Sequence, residues 1–477
     1  MYQIINVTHQ IYNELEKGRE LCLIFLDVSK AFDKVWHEGL LYKLCCKGIS
    51  GRLLDWFSSY LDKRRQRVVI NGQHSNLLEL NAGVPQGSIL GPLLFLIYIN
   101  DILQNISSEI FMFADDTFLM EPIDNYALSF QKLNEDLMHL TNWSNQWLVT
   151  FNANKTEYLK ITRKRQNIDD PPLILHNKLI NKVDKHKHLG VTLNSKATWS
   201  DHIDEISAKA RRSVGFLRRI QYKVPQSCLE TLYKSFVRPI IEYGDVVYDG
   251  STDTHLDILE DVQRNAALIC TGAYQHTSHK KLLSELGWEP LALRRKHHRL
   301  SIMYKIQNGL APNYIIDVCP QIIDDITPYQ LRNRANLRGI ATRTSSFMKS
   351  FYPQTIKDWN TTDLAIRSQP SVSSFKQKLK EIAGYKSYKL FSYGDRHGRI
   401  NQTRIRLGLS GLNYHRWRVN FIENPSCLKC NHVLEDPIHY FFDCPCYTTQ
   451  RKRLAVGLAD LLAPGVHYSY GFTRIEK

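Results

Sequence analysis

Two adjacent carboxylates interrupt the apolar run FMFADDTFLM at residues 111–120. Short apolar segments rich in aromatic residues predict buried β-strands, so we expect a hairpin with Asp115 and Asp116 at the turn between residues 111–114 and 117–120. Carboxylates in apolar surroundings need a counter-charge, and oxygen ligands suit a hard divalent cation. A solvent-exposed Asp-Asp turn explains this window equally well, so a second acidic site is needed to decide between them.

Asp27 supplies that second site, because it closes the apolar run LCLIFLD at residues 21–27. The run has the length of a central strand and is too short for a helix, so its terminal carboxylate is expected beside the hairpin turn. A cluster of this kind can hold two magnesium ions about 3.5–4 Å apart, one activating a hydroxyl and one stabilising a departing phosphate oxygen. The residues therefore predict nucleotidyl transfer.

Three motifs resemble, in order and spacing, the palm motifs of non-LTR (LINE-type) retrotransposon reverse transcriptases. They are FLDVSKAFD at 25–33, GVPQGSILGP at 83–92 and FADD at 113–116. The resemblance implies an α+β fold, with a right-hand polymerase palm of antiparallel sheet and helices and only partial fingers over residues 1–194. It also implies RNA-directed DNA synthesis with two Mg²⁺ ions, replaceable by Mn²⁺, on an RNA template with a DNA primer and deoxynucleoside triphosphates.

The same resemblance assigns roles to individual residues. Asp27, Asp115 and Asp116 become the magnesium ligands, although whether Asp116 binds the metal or shapes the site stays open. Phe32 occupies the place of an aromatic gate that excludes the ribose 2′-hydroxyl. The alternative is that Phe32 is an ordinary core residue.

Two further motifs complete the expected site. Gln86 and Gly87 are implied to touch the nascent base pair and the template, while the alternative is a plain helix-entry loop. Lys155, in FNANKT at 151–156, is implied to protonate or steady the leaving pyrophosphate. A solvated lysine in an Asn-rich turn is the alternative.

Beyond residue 194 the chain is predicted to be largely helical. The segment HLGVTL at 188–193 resembles the primer-grip hairpin, and a thumb-like domain is expected at 195–310 with helices at 200–220, 226–241, 257–270 and 291–307. The first helix carries Lys209, Arg211, Arg212, Arg218 and Arg219, which suit phosphate contacts. A helical extension of unknown role follows at 311–420, where residues 329–334 and 351–360 resemble the region downstream of the polymerase in the same elements.

Four residues near the end have the spacing of a closed zinc site. Cys427, Cys430, His439 and Cys444 supply three thiolates and an imidazole within a predicted element at 421–450, before a basic tail at 451–477. His432 and Cys446 are rival ligands, and free buried cysteines are the alternative. The His-x4-Cys half resembles retroviral zinc knuckles.

Composition agrees with a nucleic-acid partner. The 477 residues carry 62 Lys and Arg against 47 Asp and Glu, a net charge of +15, and the length suits two or more domains. Clustering of Cys near the C-terminus favours a reducing compartment. No signal peptide or membrane-spanning run is evident, so we expect an intracellular ribonucleoprotein, nuclear or cytoplasmic, without a membrane partner.

The sequence thus predicts the RNA-directed DNA polymerase of a non-LTR retrotransposon. Only 26 residues precede Asp27, and Lys17 and Arg19 are their only basic residues, so we expect an N-terminally truncated chain with impaired nucleotide use. One alternative is a decayed or domesticated remnant that binds nucleic acid without polymerising. An intron maturase or telomerase-like enzyme is another, disfavoured by the retroelement-like segment at 312–360.

Overall fold

The computed structural model describes residues 1–164, 168–323, 334–384 and 396–453. They form two units, each built from three stretches of chain. The first comprises Met1–Ala208, Ile241–Leu259 and Leu291–Ile382, and the second Lys209–Ile240, Glu260–Pro290 and Ala383–Lys477. The five domains expected from the sequence stay a prediction. Most of the predicted basic tail and most of residues 329–334 lie outside the described residues.

A five-stranded sheet forms the centre of the first unit. Its order is β11 (Asn181–Val183), β8 (Glu157–Ile161), β1 (Glu20–Leu26), β7 (Asp116–Ile123) and β6 (Glu109–Phe113). Strand β1 is buried along its whole length and pairs antiparallel with both neighbours, while β11 joins β8 in parallel. The expected α+β fold with an antiparallel palm sheet is confirmed.

Helix α5 (Tyr126–Gln146) covers one face of this sheet. Cys22, Ile24 and Leu26, at alternate positions of β1, pack with Phe130, Leu133, Leu137 and Leu140 of the helix. Leu128 of the same helix is 66% exposed. Five residues separate it from Leu133, which turns its side chain about 140° away from the buried stripe.

A second apolar core joins α2 (His37–Cys46), α3 (Arg52–Leu61) and α4 (Leu90–Ile99). The helical spacing of apolar residues from Phe32 to Leu44 predicts a helix over this stretch, yet α2 begins only at His37. Lys30 has a left-handed backbone (φ 52°), and Trp36 is extended and bridges to Ala82. Residues 28–36 are therefore a turn-rich connection in which the apolar side chains pack without a helix.

Short strands follow α3 at the edge of this core. Strand β2 (Arg64–Gln66) pairs with β5 (Leu78–Leu80), and β3 (Val69–Ile70) pairs with β4 (Gln73–His74). Asn71 and Gly72 connect β3 to β4, both with positive φ. These φ values fit the type I′ turn, for which an Asn-Gly pair is preferred.

The first unit also contains small hairpins and further helices. They are β9 (Ile174–Leu175) with β10 (Lys178–Leu179), β12 (Lys185–His188) with β13 (Val191–Asn194), α1 (Tyr2–Glu16), α9 (Asp245–Tyr248), α12 (Leu291–Gln307), α13 (Asn313–Ile316), and helices Ser345–Met348, Phe351–Thr361, Leu364–Arg367 and Val372–Ala383. The Glu16 carboxylate of α1 accepts hydrogen bonds from the backbone N–H of Thr344, which ties residues 343–348 to the first helix.

The helices of the second unit are tied together by arginines. Its elements include α7 (Gln226–Leu232), α11 (His279–Leu286), Arg396–Arg406 and Asn413–Arg418, while α6 (Ser200–Ile220), α8 (Arg238–Glu242) and α10 (Asp253–Thr271) begin or end in the first unit. A π-turn at Tyr233–Val237 interrupts the single helix expected at 226–241. The Arg396 guanidinium donates to the carbonyls of Ile269 and Cys270, both at 2.8 Å, and so caps the C-terminus of α10. Within the described ranges, no helix is both long and apolar enough to cross a bilayer.

Candidate functional site

The register of the sheet brings the three aspartates to one edge. Thr117 of β7 pairs with Leu26 of β1. Asp116, at the start of β7, and Asp27, just after β1, therefore lie at the same end of these two antiparallel strands. Partial burial raises the pKa of Asp116, and the charges of Asp115 and Asp27 raise it further, whereas His186 lowers it. The Asp116 carboxylate is therefore coupled electrostatically to those of Asp115 and Asp27 at this edge of the sheet.

The hairpin turn differs slightly from the one expected. Phe113 pairs with Asp116, so the two turn residues are Ala114 and Asp115, and Asp116 is already the first residue of β7. Ala114 has φ 55°, a left-handed conformation that strains any residue with a Cβ atom. The turn thereby places the Asp115 side chain at the tip of the hairpin beside the strand ends.

Lys155 reaches this cluster from a turn that follows α5. Val28 bridges to Phe151, and the Asn152 N–H donates to the Asp27 carbonyl at 2.8 Å, which fixes the turn against the end of β1. The Lys155 Nζ atom lies 4.0 Å from the Asp27 Oδ2 atom, and its side chain is 70% exposed. An accessible cation thus stands beside the carboxylates.

Phe32 lies between the core and the surface. Its ring stacks on Phe95 of α4, with the ring centres 4.7 Å apart and an angle of 27° between the planes. The side chain is half-buried against the second core. A core residue and a gate are both compatible with this position, so the gate stays a prediction.

The loop of the second motif packs closely on the first. The Gln86 amide donates to the Asp33 carboxylate at 2.8 Å, and both Gln86 and Gly87 are exposed. At Gly83 (φ 95°), a Cβ atom would lie 2.8 Å from the Asp33 carbonyl oxygen, so only glycine allows this approach. The predicted substrate loop is held beside the segment that begins at Asp27.

His186 is a site residue that the motifs did not reveal. Its ring stacks on Phe25 at 3.8 Å and 12°, and its Nδ1 atom lies 3.0 Å from the Glu157 carboxylate. Phe25 is two residues before Asp27, and Glu157 is two residues after Lys155, so His186 joins the two segments that carry proposed catalytic groups. The hairpin that resembles a primer grip is docked on the sheet through this contact.

Alternation in the segment KHKH at 185–188 is the signal that points to His186. Lys187 pairs with Glu205 on the outer side of the hairpin, whereas His188 is buried edge-on against Phe118. Burial lowers the pKa of His188 to about 4, so this imidazole is neutral at physiological pH. Period-two patterning identifies the inward residues, but not the strands they meet.

In the second unit, the four predicted zinc ligands come together. The Sγ atoms of Cys427 and Cys444 are 4.0 Å apart, those of Cys430 and Cys444 3.7 Å, and the Cys430 Sγ atom is 3.2 Å from the His439 Nε2 atom. All four ligand atoms lie within 4.8 Å of one another. Thiolates on a tetrahedral zinc ion are about 3.8 Å apart, so the donor set fits this metal.

The rival ligands lie outside this group. The exposed Cys446 directs its Sγ atom to the Lys429 carbonyl at 3.3 Å, and the His432 ring stacks on His439 at 4.3 Å with its Nδ1 atom near the Leu434 carbonyl. Glu435 accepts a hydrogen bond from the Asn413 N–H at 2.9 Å. The cluster is therefore joined to the helix Asn413–Arg418.

Comparison with known proteins agrees with the geometry. Residues 3–193 match the family described as reverse transcriptase (RNA-dependent DNA polymerase). The chain is 32% identical over 280 residues to the RNA-directed DNA polymerase from mobile element jockey of Drosophila melanogaster, covering 56% of this chain and 30% of that protein. It is 28% identical over 278 residues to the probable RNA-directed DNA polymerase from transposon X-element of the same organism, covering 57% and 30%.

The chain is also similar to a solved structure of apo telomerase from Candida Tropicalis, with 12% identity and a TM-score of 0.32 over 57% of this chain and 45% of that one. The sheet and its three carboxylates lie within residues 3–193, the stretch that matches the reverse transcriptase family. The chain's relatives are the RNA-directed DNA polymerases of LINE-type, non-LTR retrotransposons. The chain spans less than a third of the length of these curated relatives.

Proposed function

We propose that this chain is the polymerase part of a non-LTR retrotransposon protein and extends a DNA primer on an RNA template. The observation that carries the proposal is the sheet register, which gathers Asp27, Asp115 and Asp116 inside a reverse transcriptase domain. A carboxylate cluster held on adjacent strands is the donor set that hard divalent cations prefer. The RNA template, DNA primer and deoxynucleoside triphosphates are the partners that this activity requires.

The proposed division of labour follows from the positions of the side chains. Asp27, Asp115 and Asp116 would hold two Mg²⁺ ions, which, when bound, activate the primer hydroxyl and stabilise the departing phosphate oxygen. Lys155 would neutralise the leaving pyrophosphate from its place 4.0 Å from Asp27. His186 would position the primer hairpin against the strand that ends at Asp27.

Substrate contacts are proposed for the exposed parts of both units. Gln86 and Gly87 would meet the nascent base pair, and Phe32 would exclude the ribose 2′-hydroxyl. Helix α6 would contact duplex phosphates through five exposed basic side chains: Lys209, Arg211, Arg212, Arg218 and Arg219. Such contacts position a duplex without reading its sequence.

The Cys3His cluster is proposed to bind one structural Zn²⁺ ion through Cys427, Cys430, His439 and Cys444. Four protein ligands leave no open position, so this ion would stabilise the fold and take no part in the chemistry. In the cell we expect the protein in a ribonucleoprotein with its template, in the nucleus or the cytoplasm.

A primer-extension assay on matched RNA and DNA templates tests the proposed activity. We expect deoxynucleotide incorporation that requires Mg²⁺ or Mn²⁺ and proceeds on the RNA template. Tight duplex binding with no incorporation on either template would contradict it and would favour the alternative of a nucleic-acid-binding remnant.

A further inference from the structure

Helix α1 is buried more completely than an ordinary surface helix. Ten of its 15 residues are buried, whereas an amphipathic helix that packs on one neighbour buries a single stripe. It contacts β1 of the palm sheet, and it also contacts the helices Ser345–Met348 and Phe351–Thr361. Residues 343–361, the brace segment, belong to the extension to which the sequence assigned no role. They supply part of the surroundings in which α1 is buried.

The end of α1 binds the start of the brace segment through a carboxylate. Glu16 accepts hydrogen bonds from the Thr344 N–H, at 3.0 Å, and from the Thr344 hydroxyl. The same hydroxyl accepts the Phe347 N–H at 3.4 Å, so it also caps the helix Ser345–Met348. The Arg343 guanidinium donates to the Glu16 carbonyl at 2.8 Å. Because hydrogen bonds to an ionised group are about twice as strong as neutral ones, one carboxylate can hold this junction.

Aromatic packing joins the middle of α1 to the same segment. The His9 ring lies edge-on to the buried Tyr352, with the ring centres 4.8 Å apart, and 5.7 Å from the buried Phe347. Burial lowers the pKa of His9 to about 4, so its imidazole packs as an uncharged ring at physiological pH. Because His9 and Glu16 are two helical turns apart, the brace segment follows the length of α1 and cannot pivot about one contact.

Other parts of the first unit also fix the brace segment. The Arg163 guanidinium, two residues after β8, donates to the Ser346 hydroxyl at 2.6 Å. A Cβ atom at Gly250 would lie 2.6 Å from the Lys349 carbonyl oxygen, so only glycine allows this approach. The segment therefore contacts α1, the end of a sheet strand and the chain around Gly250 at the same time.

We propose that the brace segment holds α1 against β1 and thereby positions Asp27. Only three residues, 17–19, connect α1 to β1, so a displacement of the helix passes directly to the strand, and Asp27 follows the last residue of that strand. Glu16 is accordingly a positioning residue, which acts on Asp27 through α1 and β1. A role in the reaction rests on the proposed function, whereas the docking of the brace segment does not.

The contacts of Glu16 favour a brace over a simple apolar cover. Apolar packing is non-directional, so a cover alone would allow α1 several positions of similar free energy. Glu16 receives the N–H and the hydroxyl of one residue, Thr344, which defines a single position of α1 along the segment. These groups are 328 residues apart in the chain, so local chain connection does not bring them together.

Cleavage of the full chain on both sides of the brace segment tests the docking. Gly339 and Gly384 are exposed, and a Cβ atom at either would meet nothing within 4 Å, so protease recognition sequences can be inserted there. After both cuts we expect residues 340–384 to co-elute with the rest of the protein in size-exclusion chromatography. Glu16→Lys should weaken their retention on dilution roughly 10- to 150-fold, the range for loss of one hydrogen bond to a charged group. Glu135→Lys, the same charge change at an exposed position of α5, is the control and should retain them.

Hydrogen exchange and kinetics of the uncut chain test the positioning. Glu16→Lys should speed amide exchange in β1. It should also lower kcat for deoxynucleotide incorporation by up to about 100-fold, the cost of a misplacement of about 1 Å, while KM and duplex affinity stay near wild type. Glu16→Gln, whose amide oxygen still accepts the Thr344 N–H, should keep both the exchange and kcat near wild type.

Each half of the proposal has its own contrary result. Release of residues 340–384 from the wild-type chain after both cuts, or equal retention by Glu16→Lys and Glu135→Lys, would overturn the docking. Unchanged exchange in β1 of Glu16→Lys, or a wild-type kcat in that variant, would overturn the positioning. If retention and exchange respond as expected while the wild type extends no primer, the brace stands and the proposed polymerase function falls.

Discussion

Helices α6 and α12 both carry dense runs of basic residues, and the structure uses the two runs in opposite ways. In α12, Arg295 and Arg299 are buried and both pair with Asp249, and Arg299 also pairs with Asp358 at 2.9 Å. In α6, Arg211, Arg212, Arg218 and Arg219 are exposed. A basic run in sequence therefore marks a nucleic-acid surface only when its charges are not neutralised by the chain itself.

The acids that neutralise α12 are distant in sequence. Asp249 precedes Arg295 by 46 residues, and Asp358 follows Arg299 by 59. The same distinction applies to the three palm aspartates, because among the described residues Lys155, which is 70% exposed and 4.0 Å from Asp27, is the one cation at ion-pair distance from them. Charged groups that pair within the protein stabilise the fold, whereas charged groups without such a partner are proposed to bind a metal ion or nucleic acid.

The largest expected effect comes from removing the proposed zinc ion. Chelation of zinc should unfold the region around residues 413–447, because structural zinc supplies on the order of 10 kcal/mol to so small an element. Metal analysis should find one zinc per chain, and limited proteolysis should show new cleavage confined to this region after chelation. Cys444→Ser should reproduce the effect, whereas Cys446→Ser should retain the metal. Protein purified without chelator that contains no zinc would contradict the assignment.

Removing Asp249, which pairs with two buried arginines, should have the next largest effect. Asp249→Ala leaves the buried guanidinium of Arg295 unpaired and that of Arg299 with one carboxylate fewer, which should lower the free energy of unfolding by about 3–5 kcal/mol. Denaturant titration of the full chain provides the measurement. Asp257→Ala, at an exposed position nearby, is the control and should change stability by less than about 0.5 kcal/mol. Equal midpoints for the two variants would refute the buried network.

The palm aspartates should destabilise the metal-free protein at neutral pH. Burial and the acidic neighbours raise the pKa of Asp116 in the folded protein. Its contribution to stability is therefore complete below the pKa of Asp116 in the unfolded chain, and it is lost as the pH rises through the pKa of Asp116 in the folded protein. Asp115→Asn removes one of these neighbours. The variant should therefore melt at a higher temperature than wild type at pH 7, the difference vanishing toward pH 3 and shrinking when Mg²⁺ is added. A variant less stable than wild type at pH 7 would show that the carboxylates are compensated.

The smallest change is expected on α6. Arg212→Ala should leave thermal stability within about 0.5 kcal/mol of wild type while lowering the slope of log affinity against log salt by about 0.9 for an RNA–DNA duplex. Salt titrations of duplex binding give this slope directly. An unchanged slope together with lost stability would show that Arg212, like Arg295, stabilises the fold and does not bind the duplex.

The sequence predicted what depends on local pattern and motif order. Periodicity located α6 and α12 at their observed bounds, and the strand closed by Asp27 pairs with the Asp116 hairpin as expected. The CxxC spacing anticipated the thiolates of Cys427 and Cys430, which the structure brings together with the two more distant ligands.

What the sequence missed depends on contacts between distant segments. His186 faces Phe25 only because β12 docks on a sheet whose strands lie over 100 residues apart in the chain. The pairing of Arg299 with Asp358 has the same origin. Phe32 was expected in a helix, but Lys30 takes a left-handed conformation that local propensity does not predict.

RNA-templated primer extension by wild type and Asp115→Asn, with duplex binding measured on the same preparations, tests the central claim most directly. The substitution keeps the shape of the side chain and removes one charge from the cluster proposed to hold magnesium, while the phosphate contacts proposed for α6 are unaffected. We predict that wild type incorporates deoxynucleotides, that Asp115→Asn incorporates none, and that both bind the duplex with similar affinity. Incorporation at the wild-type rate by Asp115→Asn would contradict the two-metal site.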